Sequence, residues 1–78
     1  MSIITNNRNN AQYSTKVDEV SSSLTYVGTA LQGSLTSEAK WSIQKITSTA
    51  GASPTILNNS EGFLSGIWDN RATSTTYN

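Results

Sequence analysis

The sequence predicts a small all-β domain: an antiparallel meander or sandwich of four to five short strands with an N-terminal arm. Ser, Thr and Asn make up 32 of the 78 residues, and these residue types favour turns and half-exposed sheet surface over helix. Short segments of alternating apolar and polar residues recur along the chain and are separated by turn signals. The length allows one domain, which we assign to residues 12–78, with residues 1–11 as the extended arm.

The first two strands are indicated by alternation and by β-forming residues. The segment from Tyr13 to Val20 begins with regular alternation, and a run of three serines after it is a turn signal. Leu24 to Leu31 is rich in β-forming residues. Gly28 inside this second strand indicates either a bulge or a close backbone approach.

Residues 35–47 fit either a helix or a strand. Several apolar residues of this segment recur at helical spacing, with polar residues between them. However, Ala39, Trp41 and Ile43 alternate as in a strand. We favour a strand from about Ala39 to Ser48 and keep the helix as the alternative.

The last part of the chain predicts a short strand, an irregular segment and a final strand. Pro54 opens a strand that ends at Asn58, and its missing N–H does no harm at that position. Residues 63–71 carry the densest apolar patch, which we expect to pack on the sheet as an irregular or single-turn segment. The alternating Thr and Tyr residues from Ala72 to Tyr77 predict the last strand.

The amount of apolar sequence is small for a domain that must fold alone. Leu, Ile, Val and Phe number 15 of 78 residues, and the chain has no Cys and no His, which excludes disulfides and Cys/His zinc sites. The 5 basic and 5 acidic residues leave no net charge, and neutral chains tend to associate. Small domains usually need an additional source of stability, so we expect a homo-oligomer or docking on a larger body. The large side chains expected to anchor the core or an interface are Tyr26, Trp41, Phe63, Ile67, Trp68 and Tyr77.

No motif in the sequence predicts an enzyme. Nucleophilic catalysis normally needs a Ser or Cys beside a base such as His. Ser37 and Lys40 match S-x-x-K, but the companion motifs of the Ser–Lys enzymes are missing. Asp69 and Asn70 lack the spacing of a calcium loop, so we expect a turn there, or an ion pair from Asp69 to Arg71. We expect no catalytic residues, no cofactor, no metal and no small-molecule substrate.

Nucleic acid and membrane are not expected as partners. The basic residues are scattered rather than clustered, whereas nucleic-acid binding calls for a basic surface. No apolar run approaches the roughly 20 residues of a membrane span, and no signal peptide is visible at the start. Trp41 and Trp68 give an alternative function, a carbohydrate- or host-surface-binding β module, although so small a domain needs both rings as core or interface bulk.

Three segments of the chain carry a likeness to known proteins. They are TYVGTA (residues 25–30), AKWSIQKI (residues 39–46) and GIWDNRA (residues 66–72). In order and spacing they resemble a pattern in small proteins of tailed bacteriophages, over about Leu24 to Tyr77 and without the N-terminal arm. Those proteins are generally regarded as virion structural proteins. The resemblance transfers no catalytic or binding residue.

The function implied by this resemblance agrees with the composition. It implies a many-copy, non-enzymatic virion component, made in the host cytoplasm, that assembles with itself and with larger virion proteins. The tail, fibre or neck region is slightly favoured over capsid decoration. Residues 1–11 would then either reach onto a neighbouring subunit or form a frayed tail.

Overall fold

The computed structural model describes residues 12–78, so the arm predicted for residues 1–11 lies outside the described residues. The described residues form five strands, and a 3₁₀ turn follows the last of them. These elements are β1 (Tyr13–Ser21), β2 (Leu24–Leu31), β3 (Ala39–Thr47), β4 (Thr55–Asn58), β5 (Gly66–Ile67) and the 3₁₀ turn Trp68–Asn70. Every strand pair is antiparallel, and the predicted all-β fold class is confirmed.

The strands form one meander, and no second sheet is stacked on it within residues 12–78. The strand order is β1-β2-β3-β4, and β5 also pairs with β3. β3 is therefore central: β2 lies along one edge, while β4 and β5 share the other edge. β4 pairs with the end of β3, from Gln44 to Thr47, and β5 pairs with its beginning, at Ala39 and Trp41.

Residues 35–47, for which the sequence allowed a helix or a strand, form a turn followed by a strand. The carboxylate of Glu38 accepts a hydrogen bond from the Leu35 N–H at 2.8 Å, and the Glu38 N–H donates to the Leu35 carbonyl at 3.1 Å. β3 then starts at Ala39. A strand satisfies the backbone groups of β3 on both edges and places Trp41 and Ile43 on one face, which explains why alternation prevailed over helical spacing.

The predicted last strand, Ala72 to Tyr77, is wrong. The N–H groups of Thr73, Ser74 and Thr75 all donate to the Asn70 carbonyl at 3.1 Å, so the chain curls into successive turns there. Of this segment only Tyr77 pairs, through an isolated bridge to Asn59. The alternating Thr and Tyr residues imitate a strand, but the local hydrogen bonds to Asn70 use the backbone groups that a strand would need.

The core lies on one face of the sheet. Its buried hydrophobic residues are Tyr26, Ala30, Trp41, Ile43 and Trp68. The Trp68 ring lies directly on Gly28 of β2, where a Cβ would overlap the ring atoms, and its centroid is 5.8 Å from that of Trp41. Neither explanation expected for this glycine is observed: Gly28 pairs regularly with Lys16 and Ile43 without a bulge, and the group that approaches it is the Trp68 side chain, not another backbone.

Gly28→Ala should destabilise the domain, because the added methyl group displaces Trp68 from the core. Overpacking of this kind costs about 1–3 kcal/mol, measurable by urea unfolding followed by tryptophan fluorescence. Trp68→Phe leaves more room above the strand, so the alanine should cost less in that background. Equal effects of Gly28→Ala in both backgrounds would contradict the direct contact. Thr29→Ala, on the next residue but the opposite face, is the control.

Candidate assembly surface

The two faces of the sheet differ in what covers them. The covered face carries Gly28 and Trp41 and lies beneath residues 68–78, called here the C-terminal segment. The open face carries the alternate residues of the same strands. The strand register places Val17, Val27, Gln44 and Asn58 in one row across the open face, from β1 to β4.

Arg71 joins the C-terminal segment to β1 across the covered face. Its guanidinium carbon lies 4.4 Å from the centroid of the Trp68 ring. Its Nη2 and Nε atoms lie 2.9 and 3.0 Å from Oδ2 of Asp18. Of the two alternatives expected at Asp69, the turn is observed, as the 3₁₀ turn Trp68–Asn70, and the ion pair with Arg71 is not. The antiparallel register places Asp18 opposite Tyr26 on the covered face, where the guanidinium reaches it while stacked on Trp68.

Tyr77 packs against Tyr26 of the core on the covered face. Its ring centroid is 6.0 Å from that of Tyr26, and its hydroxyl donates a hydrogen bond to the Arg71 carbonyl at 2.9 Å. Burial, with a smaller contribution from Tyr26, raises the pKa of Tyr77 from 10.0 to about 12. The neutral phenol is therefore part of the folded packing.

The six predicted anchors occupy three kinds of position. Tyr26, Trp41 and Trp68 are in the core, Tyr77 packs against it, and Ile67 is half-buried in β5. Phe63 is 76% exposed, so it is not a core anchor; it lies in a turn between β4 and β5. With Trp41 only 1% and Trp68 only 6% exposed, neither ring is available to stack on a sugar.

A groove of about 430 Å³ lies on the open face. Its lining combines strand residues with the loop after β4. The lining residues are Val27, Thr29, Ser42, Gln44, Asn58, Asn59, Gly62 and Phe63. Buried Asn59 fixes this loop: its Oδ1 accepts from the Ile43 N–H at 2.8 Å, and its Nδ2 donates to the Gly62 carbonyl at 3.1 Å. The Leu64 N–H also donates to Ser42 Oγ at 2.7 Å.

The open face is also rich in exposed apolar side chains. Tyr13, Val17, Leu31, Ile56 and Phe63 are all exposed. The register places Tyr13 opposite Leu31 and Val17 opposite Val27, so four of these apolar side chains form two adjoining cross-strand pairs. Adjoining exposed apolar groups on a small protein mark contact surfaces.

The sequence prediction of anchors missed Val17, Leu31 and Ile56. The alternation of Tyr13, Thr15 and Val17 was the signal that could have identified this face. However, alternation defines two faces of a strand without showing which of them will be covered.

The structure brings together no catalytic group around Ser37. Ser37 is exposed in the turn before β3, and the Lys40 ammonium lies 3.7 Å from the Glu38 carboxylate. Within residues 12–78, no group of three or more His, Cys, Asp or Glu side chains is placed to hold a metal ion. In that same part of the chain, no helix has the length and apolar character needed to cross a membrane.

Comparison of the chain with protein-family models, curated proteins and solved structures found no match. The function is therefore inferred from the one-sided core, the open face and the resemblance of residues 24–77.

Titration of Tyr77 should weaken the fold at alkaline pH. Below pH 10.0 the phenol is neutral in both the folded and unfolded chains. Between 10.0 and about 12, the unfolded chain loses this proton while the folded chain keeps it, so stability falls as pH rises. Urea midpoints measured across this range should fall further in the wild type than in Tyr77→Phe, in which the other titrating groups are unchanged. If the urea midpoint falls equally with pH in the two proteins, titration of Tyr77 does not cause the loss of stability.

Proposed function

We propose that this chain is a non-enzymatic structural protein that acts in many copies, by self-association and by contact with larger proteins of an assembly. The observation that carries the proposal is the one-sided core. The C-terminal segment covers one face of the sheet, while adjoining apolar side chains remain exposed on the other. A structural contact surface needs no nucleophile, cofactor or metal.

Burial of the open face would supply stability that the small core lacks. Among residues 12–78 only five hydrophobic residues are buried, and a domain of this size is marginal when alone. Burying an exposed side chain such as Phe63 or Val17 contributes roughly 1.5–3 kcal/mol before the entropy of association is subtracted. Several such side chains on one face favour a partner with a complementary surface.

The virion is the setting we propose for this assembly. The resemblance of residues 24–77 to small structural proteins of tailed bacteriophages supports that setting. Synthesis in the host cytoplasm and a position in the tail, fibre or neck region, ahead of capsid decoration, belong to the same proposal. The larger partners would be other virion proteins.

Carbohydrate or host-surface binding is the alternative, and one feature of the groove favours it. The exposed ring of Phe63 stands beside the amide side chains of Gln44 and Asn58. An aromatic ring can stack on the apolar face of a sugar while amides bond to its hydroxyls. This alternative uses Phe63 in place of the two buried tryptophans. Phe63-dependent binding to immobilised glycans would favour it over the structural role.

Light scattering of the purified full-length chain across a concentration series tests the principal proposal. We expect a discrete oligomer, or growth into larger species, in place of the 8.4 kDa monomer. A folded monomer at every concentration would contradict self-association.

Phe63→Ser should reduce assembly of the smallest oligomer into larger species, as seen by light scattering. It should leave the urea midpoint of the domain unchanged. Phe63 is exposed and makes no core contact, so its loss affects only what the open face binds. Leu35→Ser is the matched control, since Leu35 is 64% exposed but lies in the loop before β3. If both variants reduce growth equally, the open face has no special role.

A further inference from the structure

The two edges of the sheet differ in how they are blocked. β4 has four residues, follows Pro54, and Asn58 exchanges backbone hydrogen bonds of 3.1 and 3.0 Å with Asn78. β1 has nine residues, contains no proline, and pairs only with β2 among the described residues. A long, regular edge strand presents a row of N–H and C=O groups that can pair with another chain. β1 is therefore the edge available for strand pairing.

One hydrogen bond fixes which residues of β1 face outward. The Gln12 carbonyl accepts from the Gln32 N–H at 2.8 Å, and the register that pairs Tyr13 with Leu31 places these two residues opposite each other. In antiparallel strands, successive residues direct their backbone groups to opposite edges. Even-numbered residues up to Asp18 therefore bond to β2, and odd-numbered residues face the free edge. The outward residues are Tyr13, Thr15, Val17 and Glu19.

We infer that β1 pairs antiparallel with the β1 of a second copy about a twofold axis at Val17. This inference rests on the proposed self-association and names its contact. Val17 is the midpoint of Tyr13–Ser21, so this register pairs the strands over their full length. It also places Lys16 opposite the partner's Asp18, and Asp18 opposite the partner's Lys16.

Charge selects this register over its neighbours. Moving the axis by one residue toward the N-terminus would place Lys16 opposite its own copy. Moving it by one residue the other way would place Asp18 opposite its own copy. Like charges directly opposite each other destabilise a strand pair, whereas opposite charges stabilise it. Charged residues usually block an edge strand, but in the Val17 register they are complementary.

The side chains of the covered face leave room for this contact. Lys16 and Asp18 form non-hydrogen-bonded pairs across the inferred contact, where opposing side chains come closest. Both bonds from Arg71 go to Oδ2 of Asp18, and no other described residue bonds to Oδ1. The ammonium of the partner's Lys16 can therefore bind Oδ1 without displacing Arg71. On the open face, Val17, 66% exposed, meets its own copy at the axis.

The paired copies would form one continuous sheet. A twofold axis perpendicular to the sheet keeps the two open faces on the same side, so the four-strand path of each copy becomes a path of eight strands. The exposed apolar side chains of both copies then face a larger partner together. The edge contact joins copies, and the open face remains available for further assembly.

A single engineered cysteine tests the register, because the chain has none of its own. In the inferred pair the Cα atoms of residue 17 are about 5.5 Å apart, which suits a disulfide. Val17→Cys should form covalent dimers quickly under mild oxidation. Thr15→Cys, about 14 Å from its own copy along the strands, and Ile56→Cys, similarly exposed but on β4, should crosslink slowly. Adding Phe63→Ser should leave Val17→Cys crosslinking intact.

Charge reversal gives an independent readout. Lys16→Glu turns two opposite-charge pairs into like-charge pairs and should raise the dimer dissociation constant about tenfold at low salt. Lys40→Glu, on an exposed lysine of β3, should leave it unchanged. Oligomers in which residues 15 and 17 crosslink equally would overturn the edge pairing and leave self-association standing. A monomer at all concentrations, with no rapid crosslinking, would contradict both.

Discussion

The contact of the Trp68 ring with Gly28 is the constraint on which the rest of the structure depends. A ring can lie on the middle of a strand only where the strand residue has no side chain. That contact places the C-terminal segment over β2 and β3, and it brings Trp68 within 5.8 Å of Trp41. Arg71 then stacks on the same ring and reaches Asp18 of β1. Three strands are thus joined through one aromatic side chain.

The same constraint explains why the molecule has two unlike faces. The C-terminal segment is short, and after Trp68 it curls into turns held by the Asn70 carbonyl before it reaches Tyr77. Its large side chains suffice to cover one face of the sheet. The opposite face keeps exposed apolar side chains beside polar Thr, Ser and Gln residues, a mixture that suits a contact surface better than an interior. A surface of this kind is consistent with a structural role in an assembly.

The edges of the sheet follow from the path of the chain as well. The C-terminal residues return to β4 and bond to Asn58, which shortens the usable edge on that side. β1 begins the described part of the chain and has no such cover among residues 12–78. In the pairing that we infer, this unequal protection would direct a second copy to β1 and not to β4. Assembly at one edge would then give closed pairs instead of open-ended fibres.

The sequence by itself determined the local features of this protein. Alternation and turn residues were sufficient to place β2, and they gave β1 and β4 to within one residue. For β3 they favoured a strand from about Ala39 but left a helix as the alternative. The sequence also singled out Gly28 as the site of a bulge or a close backbone approach. These features depend on neighbours in the chain, which a sequence displays directly. The segment after Ala72 was the exception, because its alternating residues matched a strand while Asn70 captured its N–H groups.

Only the tertiary structure decided which face of the sheet is covered and which large side chains cover it. The sequence marks Phe63 and Trp68 as equally plausible anchors, since both lie in the same apolar segment. The structure distinguishes the two residues. The Trp68 ring packs against Gly28, whereas the turn held by Asn59 directs Phe63 outward. The pairing of Arg71 with Asp18, 53 residues apart, likewise depends on strand register. Such contacts arise from the spatial arrangement of distant segments, which local residue patterns do not encode.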